Sequence, residues 1–209
     1  MNAGRSPVVG CLLLLALVSA SAQDRMPPIA KESMTKAQKQ SVDELLNTPR
    51  GTGSLSGPFI PLLRSPELMN RLQRTGEYLR FQNSIGHKLT EFLILLTARQ
   101  WTQQYEFAIH EPLALKAGVK QDVITAVAEG RRPVMMDDGE DIAYGFFTEL
   151  RENHSISDAT YARAVTRFGE QGVVDLTALI GYYTTLAMIM NVARTPLPYL
   201  VKAPLTALP

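Results

Sequence analysis

The sequence predicts an all-α protein of about eight helices in a single domain, and three observations lead to this fold class. No segment alternates apolar and polar residues over more than four positions, as a half-buried strand does. Apolar residues instead recur at helical spacing in successive segments, and residues that favour helix ends separate these segments. With 209 residues, 45% hydrophobic and 20% charged, the chain is long enough for one sizeable core and too short for two ordinary domains with linkers.

Local signals mark the ends of the predicted helices. Thr35 and Gln38 form a capping-box pattern at the start of the first helix. Ser65 followed by Pro66 is a favoured helix start, and Gly118 is a favoured helix end. The predicted helices cover residues 35–47, 66–81, 88–102, 103–117, 120–129, 138–152, 157–168 and 173–193, and the Gly- and Pro-containing segment 48–61 is predicted to be a loop.

The last predicted helix, 173–193, is apolar on most of its faces. Its length and composition resemble a membrane span, but Asp175 and Asn191 favour a core helix or one that is buried in a subunit interface. Its apolar side chains point in too many directions for a single domain to cover, so the sequence predicts a homo-oligomer. These side chains are Val173, Leu176, Leu179, Ile180, Leu186, Met188, Ile189 and Val192.

The N-terminus has the features of a secretory signal peptide. An apolar run of 11 residues at 8–18 precedes Ala20-Ser21-Ala22, which is a cleavage-site pattern. We expect cleavage after Ala22 and export, into a periplasm. The single cysteine, Cys11, lies inside this run, so the mature chain is expected to lack thiols and disulfides. The expected segments are a signal peptide at 1–22, an extended segment at 23–34, a helical domain at 35–198 and a Pro-containing tail at 199–209.

The charge balance excludes some classes of partner. Lys and Arg total 21 and Asp and Glu total 20, so the net charge is +1. No excess of positive charge is available to release counterions from a phosphate backbone, and nucleic acid is not an expected partner. After signal cleavage, a membrane is not an expected partner either. The expected partner is a small-molecule substrate.

The chemistry is predicted to lie around His110. Glu106 stands four residues and Gln103 seven residues before it, so the three share one face of a helix. Glu91 lies in the preceding, nearly apolar helix, and the tight connection brings it towards His110. A carboxylate beside an imidazole fixes its tautomer and leaves the other nitrogen for general acid–base work. Burial is expected to raise the pKa of Glu91 and make it a proton relay.

Two other interpretations of this cluster remain open. A His–Glu pair can be a satisfied structural contact without a catalytic role. One His with two carboxylates can also bind a metal, although no second His stands at ligand spacing, and we expect neither a metal nor another cofactor.

Four further residues are candidates for substrate binding. Trp101 and Tyr105 flank the turn between the two helices, and Arg80 and Arg99 can each hold a carboxylate with two parallel hydrogen bonds. Core packing for the aromatic residues, and solvation or ion pairing for the arginines, are the alternatives. Gln103 completes the set of expected substrate contacts.

The spacing Glu91–x11–Gln103–x2–Glu106–x3–His110 resembles the Glu–x11–Cys–x2–Cys–x3–His motif of the alkylhydroperoxidase D and carboxymuconolactone decarboxylase superfamily. Segments 57–68, 78–81, 105–119 and 173–191 look like its cysteine-free, decarboxylase-like branch, and the resemblance covers roughly 35–198. It implies an all-helical fold built around a helical hairpin, trimers or hexamers, and a proton-handling pair formed by His110 and Glu91.

The sequence lacks the two cysteines of the motif, and this difference distinguishes between the peroxidase and decarboxylase activities of that superfamily. Gln103 and Glu106 stand where the peroxidase branch has its two cysteines, so a thiol peroxidase mechanism is chemically disfavoured. We therefore expect a cofactor-free lyase that acts on a small carboxylated or lactone-type molecule. His110, Glu91 and Glu106 are its expected catalytic residues. A non-catalytic, exported small-molecule-binding protein is the alternative.

Overall fold

The computed structural model describes residues 24–48 and 55–206, and the part of the chain that it describes is helical without strands. The all-α fold class is therefore confirmed. The predicted signal peptide at 1–22 lies outside the described residues. A short 3-10 turn at Lys31–Ser33 precedes the helices, which are α1 Lys36–Leu46, α2 Phe59–Leu62, α3 Pro66–Phe81, α4 His87–Gln100, α5 Gln104–Ala117, α6 Gln121–Ala128, α7 Asp138–Asn153 and α8 Asp158–Ala193.

Most helix ends follow the predicted signals. Thr35 and Gln38 form the reciprocal capping box at the start of α1. Gly118 ends α5 in the left-handed conformation, with φ 98°. Ser65 and Pro66 begin α3 as predicted, although the Ser65 side chain makes no capping hydrogen bond.

One predicted boundary was wrong. The segment predicted as a loop up to residue 61 contains α2, because Phe59 and Leu62 are buried against the core and one helical turn lets both face it. The predicted helices 157–168 and 173–193 correspond to two helical arms of α8, which meet at a kink at Gly169, where the backbone is not helical, with φ 72° and ψ 170°. Only glycine adopts this backbone region readily, so Gly169 separates the two helical arms.

α4 is the central helix of the domain. All eleven residues from Leu89 to Arg99 are buried, and α5, α6, α7 and α8 all pack against it. Each fully buried Leu, Ile or Phe in this helix contributes about 1.5–3 kcal/mol to folding. The three-residue connection Trp101–Gln103 returns the chain so that α5 packs along α4 as a helical hairpin.

Asp175 joins α8 to the connection between α3 and α4. Its carboxylate accepts hydrogen bonds from Tyr78 Oη at 3.1 Å, from Ser84 N at 2.9 Å and from Ser84 Oγ at 2.8 Å. These donors explain why an acidic residue is buried in an otherwise apolar helix. They also hold the start of α4, and with it Glu91, in a defined position.

α8 is the one helix in the described residues that is long and apolar enough to cross a membrane, with a mean hydropathy of 1.5 over its most apolar window. Half of that window is buried within the chain. Leu176, Leu179, Ile180 and Leu186 all pack into the domain's own core, so fewer apolar side chains remain uncovered than the sequence predicts. In the stretch 173–193, the exposed large apolar side chains are Val174, Met188 and Val192, at 65%, 39% and 58% exposure.

Candidate functional site

A cavity of about 290 Å³ lies between α1, the segment before α2, and α3, α5 and α8. Its walls are mostly apolar, and a few polar groups converge on it, which is typical of a small-molecule site. The polar lining residues include Arg80, Glu106 and His110. The complete lining is Leu45, Leu46, Ser56, Gly57, Pro58, Phe59, Arg80, Tyr105, Glu106, Ile109, His110, Tyr183, Leu186 and Met190.

His110 and Glu91 form a buried hydrogen-bonded pair at this cavity. His110 Nδ1 lies 2.6 Å from Glu91 Oε2, and the two side chains are 7% and 0% exposed. The α4–α5 hairpin brings them together, because the short connection aligns positions 19 residues apart in sequence. An ionised carboxylate only accepts hydrogen bonds, so Nδ1 carries the hydrogen. In the neutral imidazole, Nε2 is then the basic nitrogen.

Three cationic or titratable side chains surround the Glu91 carboxylate. Besides His110, Arg80 Nε lies 3.6 Å and His87 Nδ1 lies 3.9 Å from Oε1 of Glu91. Burial raises the pKa of Glu91, but the hydrogen bond from His110 and the charges of His110, Arg80 and His87 outweigh burial, so the pKa lies below its usual value. The expectation of a raised pKa at Glu91 was therefore wrong, because the contacts that His110 and Arg80 supply from other helices stabilise the charged form. A proton-relay role for Glu91 stays a prediction.

Glu106 has the opposite environment. It is 3% exposed, and its Oε2 has no hydrogen-bond partner. Burial raises the pKa of Glu106 well above its usual value, with no opposing charge. Glu91, rather than Glu106, accepts the hydrogen bond from Nδ1 of His110. The two carboxyls near His110 are thus placed to be in different protonation states.

Two of the predicted substrate contacts, Arg80 and Tyr105, line the cavity. Tyr105 packs against Gly57, where an added Cβ would lie 2.7 Å from Tyr105 Cε1. Gly57 also has φ 55°, a value that L side chains rarely adopt. This close approach brings the segment before α2 onto α5 and forms one wall of the cavity.

The other three predicted substrate contacts lie outside the cavity lining. Gln103 caps α5: its Oε1 accepts from Tyr105 N at 2.7 Å, and its Nε2 donates to Asn191 at 2.9 Å. Trp101 Nε1 donates to Thr184 Oγ1 at 3.4 Å. Arg99 is buried near the C-terminal segment, where its Nη1 donates to Thr206 O at 2.7 Å. The polar groups of these three side chains therefore cap a helix or bind other segments of the chain, and they do not face the cavity.

Sequence reasoning did not assign α1 or α8 to the site. Leu45 and Leu46 of α1, and Leu186 and Met190 of α8, form much of the apolar wall. Tyr183 of α8 stacks edge-on with the His110 ring, with centroids 5.4 Å apart. The spacing of these residues is typical of any core helix, so no local sequence signal distinguishes them as residues of the cavity wall.

Within the described residues, no group of three or more Asp, Glu or His side chains is arranged to hold a metal ion. A scan against known protein families found no match, and searches of the curated proteins and of the solved structures found no similar protein either.

Proposed function

We propose that this chain is a cofactor-free, carboxymuconolactone decarboxylase-like lyase that acts on a small carboxylated or lactone-type molecule. The observation that carries the proposal is the 2.6 Å contact between His110 and Glu91 at the wall of the cavity. A buried carboxylate–imidazole pair beside a small-molecule cavity is an arrangement suited to proton transfer. The cavity lies at the small end of the range of ligand sites, about 300–1,000 Å³, so the substrate is small.

The reaction assigns each polar group a task. Arg80 borders the cavity and holds the substrate carboxylate with its guanidinium. The bond between the substrate carbon and its carboxylate breaks, carbon dioxide leaves, and the electron pair passes into an adjacent carbonyl to form an enolate. Protonated His110 then gives one proton to the carbon, and solvent returns it. The Glu91 carboxylate stabilises the imidazolium and holds the ring in place.

Release of carbon dioxide from a panel of small β-keto acids and lactone carboxylic acids tests the proposal. Wild type is compared with His110→Ala and with the control His154→Asn. His154 is exposed and ends α7 at φ 56°, a conformation that Asn tolerates. We expect His110→Ala to lower turnover by about 100-fold or more, because general acid–base catalysis contributes that much, and His154→Asn to have no effect.

Turnover that survives in His110→Ala would reject the assignment of His110. A ligand that stabilises the wild-type chain against heat but is not turned over would identify a binding protein instead. Thiol-dependent peroxide consumption is not expected, because Gln103 and Glu106 carry no thiol.

We also propose that the mature chain is exported and forms a homo-oligomer, either a trimer or a hexamer. The apolar run at 8–18 and the Ala20-Ser21-Ala22 pattern support export. The exposed side chains of Val174, Met188 and Val192 on α8 support assembly, because a second subunit can cover them.

A further inference from the structure

Glu106 is a buried carboxyl group that has no role in the proton transfer proposed above. Arg80 and His87 lie against Glu91 and not against Glu106: Arg80 Nε and His87 Nδ1 are both within 4 Å of the Glu91 carboxylate. Glu106 Oε2 has no hydrogen-bond partner, and burial is the cause of its raised pKa. An ionised carboxylate in such a place carries a large desolvation cost, whereas the neutral acid has a hydrogen to donate.

We propose that the Glu106 carboxyl donates a hydrogen bond from the cavity wall to a carbonyl or enolate oxygen of the ligand. The inference rests on the proposed function, because it concerns the same cavity and the same substrate. It narrows the ligand to a molecule that carries a carbonyl oxygen in addition to a carboxylate. Glu106 keeps its proton throughout, so bond cleavage and protonation of carbon remain with the substrate and His110.

The positions of Glu106 and His110 fit a single carbonyl group. They are four residues apart on α5 and both line the cavity. Such side chains lie about 5–6 Å apart at Cβ, which allows one to reach the oxygen while the other reaches the neighbouring carbon. A donor aimed at a developing enolate oxygen stabilises the transition state more than the ground state.

Other charged or titratable groups also face this part of the cavity. Arg80 comes from α3, Tyr105 and His110 from α5, and Tyr183 from α8. Arg80 is the strongest alternative partner for an anionic oxygen, so the test must vary the carbonyl while it keeps the carboxylate constant. Levulinate and valerate meet this need, because they have chains of equal length and differ by one ketone.

Binding of levulinate and valerate is measured by calorimetry near neutral pH for wild type, Glu106→Met, Glu106→Gln and the control Glu111→Gln. Methionine keeps the volume without a donor, glutamine keeps a donor, and Glu111 lies on α5 outside the cavity lining. The ratio of the valerate Kd to the levulinate Kd is expected to fall about tenfold in Glu106→Met, the effect of one hydrogen bond. Glu106→Gln keeps most of the ratio, and Glu111→Gln keeps all of it.

An infrared difference spectrum of wild type against Glu106→Gln supplies a readout that is independent of binding. We expect the carbonyl stretch of a protonated carboxylic acid in wild type near neutral pH. An infrared spectrum that shows an ionised Glu106 would overturn the inference, and so would an unchanged ratio of the two Kd values in Glu106→Met. If neither levulinate nor valerate binds to wild type, small carboxylates of this class are rejected as ligands. If the ratio of the Kd values falls in Glu106→Met but wild type releases no carbon dioxide from any substrate, the lyase activity is rejected. Glu106 then remains a hydrogen-bond donor to a bound ligand.

Discussion

Glu91 and Glu106 are buried on the two helices of one hairpin, and their surroundings shift the pKa values of the two carboxyls in opposite directions. Glu91 contacts His110 and lies near Arg80 and His87, which together stabilise its charged form. Glu106 has no such partner, and its neutral form is favoured. Pairs of carboxyls whose environments separate their protonation states are a recurring feature of acid–base sites.

Replacement of Glu91 by Gln is expected to destabilise the fold strongly. The substitution removes the negative charge that compensates Arg80, and it replaces the carboxylate that accepts from Nδ1 of His110 with a neutral amide oxygen, which is a weaker acceptor. Removal of one partner from a buried pair costs about 3–5 kcal/mol of unfolding free energy. Urea denaturation measures this loss. The control Glu67→Gln breaks an exposed pair with Arg71 and should cost less than about 1 kcal/mol.

The effect of Glu91→Gln should depend on pH with a defined sign. Because the pKa of Glu91 in the folded state lies below the ordinary value of 4.5, its contribution to stability is complete above that value. It is lost as the pH falls through the folded-state pKa. The stability difference between wild type and Glu91→Gln should therefore shrink in acid, and a difference independent of pH would contradict an ionised Glu91.

Replacement of Glu106 by Gln should change stability with the opposite pH dependence. The pKa of Glu106 is raised in the folded state, so the folded protein holds this proton more tightly than the unfolded chain. Wild type should lose stability as the pH rises above 4.5 and towards the folded-state pKa. Thermal unfolding should show Glu106→Gln equal to wild type in acid and more stable above neutral pH, and a constant offset would count against a neutral Glu106.

Replacement of Gly169 by Ala should destabilise the protein through the backbone alone. An added Cβ at Gly169 meets nothing within 4 Å, but φ 72° with ψ 170° is accessible almost only to glycine. The strain costs about 1–3 kcal/mol. Gly145→Ala is the matched control, because Gly145 lies within the helix α7 and also has open space around it. Alanine there should stabilise by about 0.5–1 kcal/mol.

Charges placed on the exposed face of α8 should dissociate the proposed oligomer. Val192→Glu combined with Met188→Glu introduces repulsion where the two exposed apolar side chains would meet another subunit. Light scattering of the mature chain should give a multimer for wild type and a monomer for the double variant. Lys116→Glu, at an exposed site on α5, should leave the mass unchanged. A wild-type monomer at micromolar concentration would reject assembly.

Local features of the sequence determined the helical class and most helix ends. The capping box at Thr35 and Gln38 and the left-handed Gly118 depend only on neighbouring residues, so they follow from the sequence. The placement of Glu106 and His110 on one helix face also follows from the sequence, because it depends only on their spacing of four residues. The break in helical geometry at Gly169 also follows from the sequence, because it lies between the helices predicted at 157–168 and 173–193.

Tertiary packing alone decided the composition of the candidate site. Gln103 shares a face with His110 by spacing, yet it caps α5 and bonds Asn191, because the start of the helix lies against α8. Burial raises the pKa of Glu91, but the pKa falls overall because His110 on α5 donates a hydrogen bond to the carboxylate and Arg80 on α3 lies beside it. Helical spacing determines which side chains share a face, whereas the protonation of a buried group depends on charges that other elements bring within a few ångströms of it.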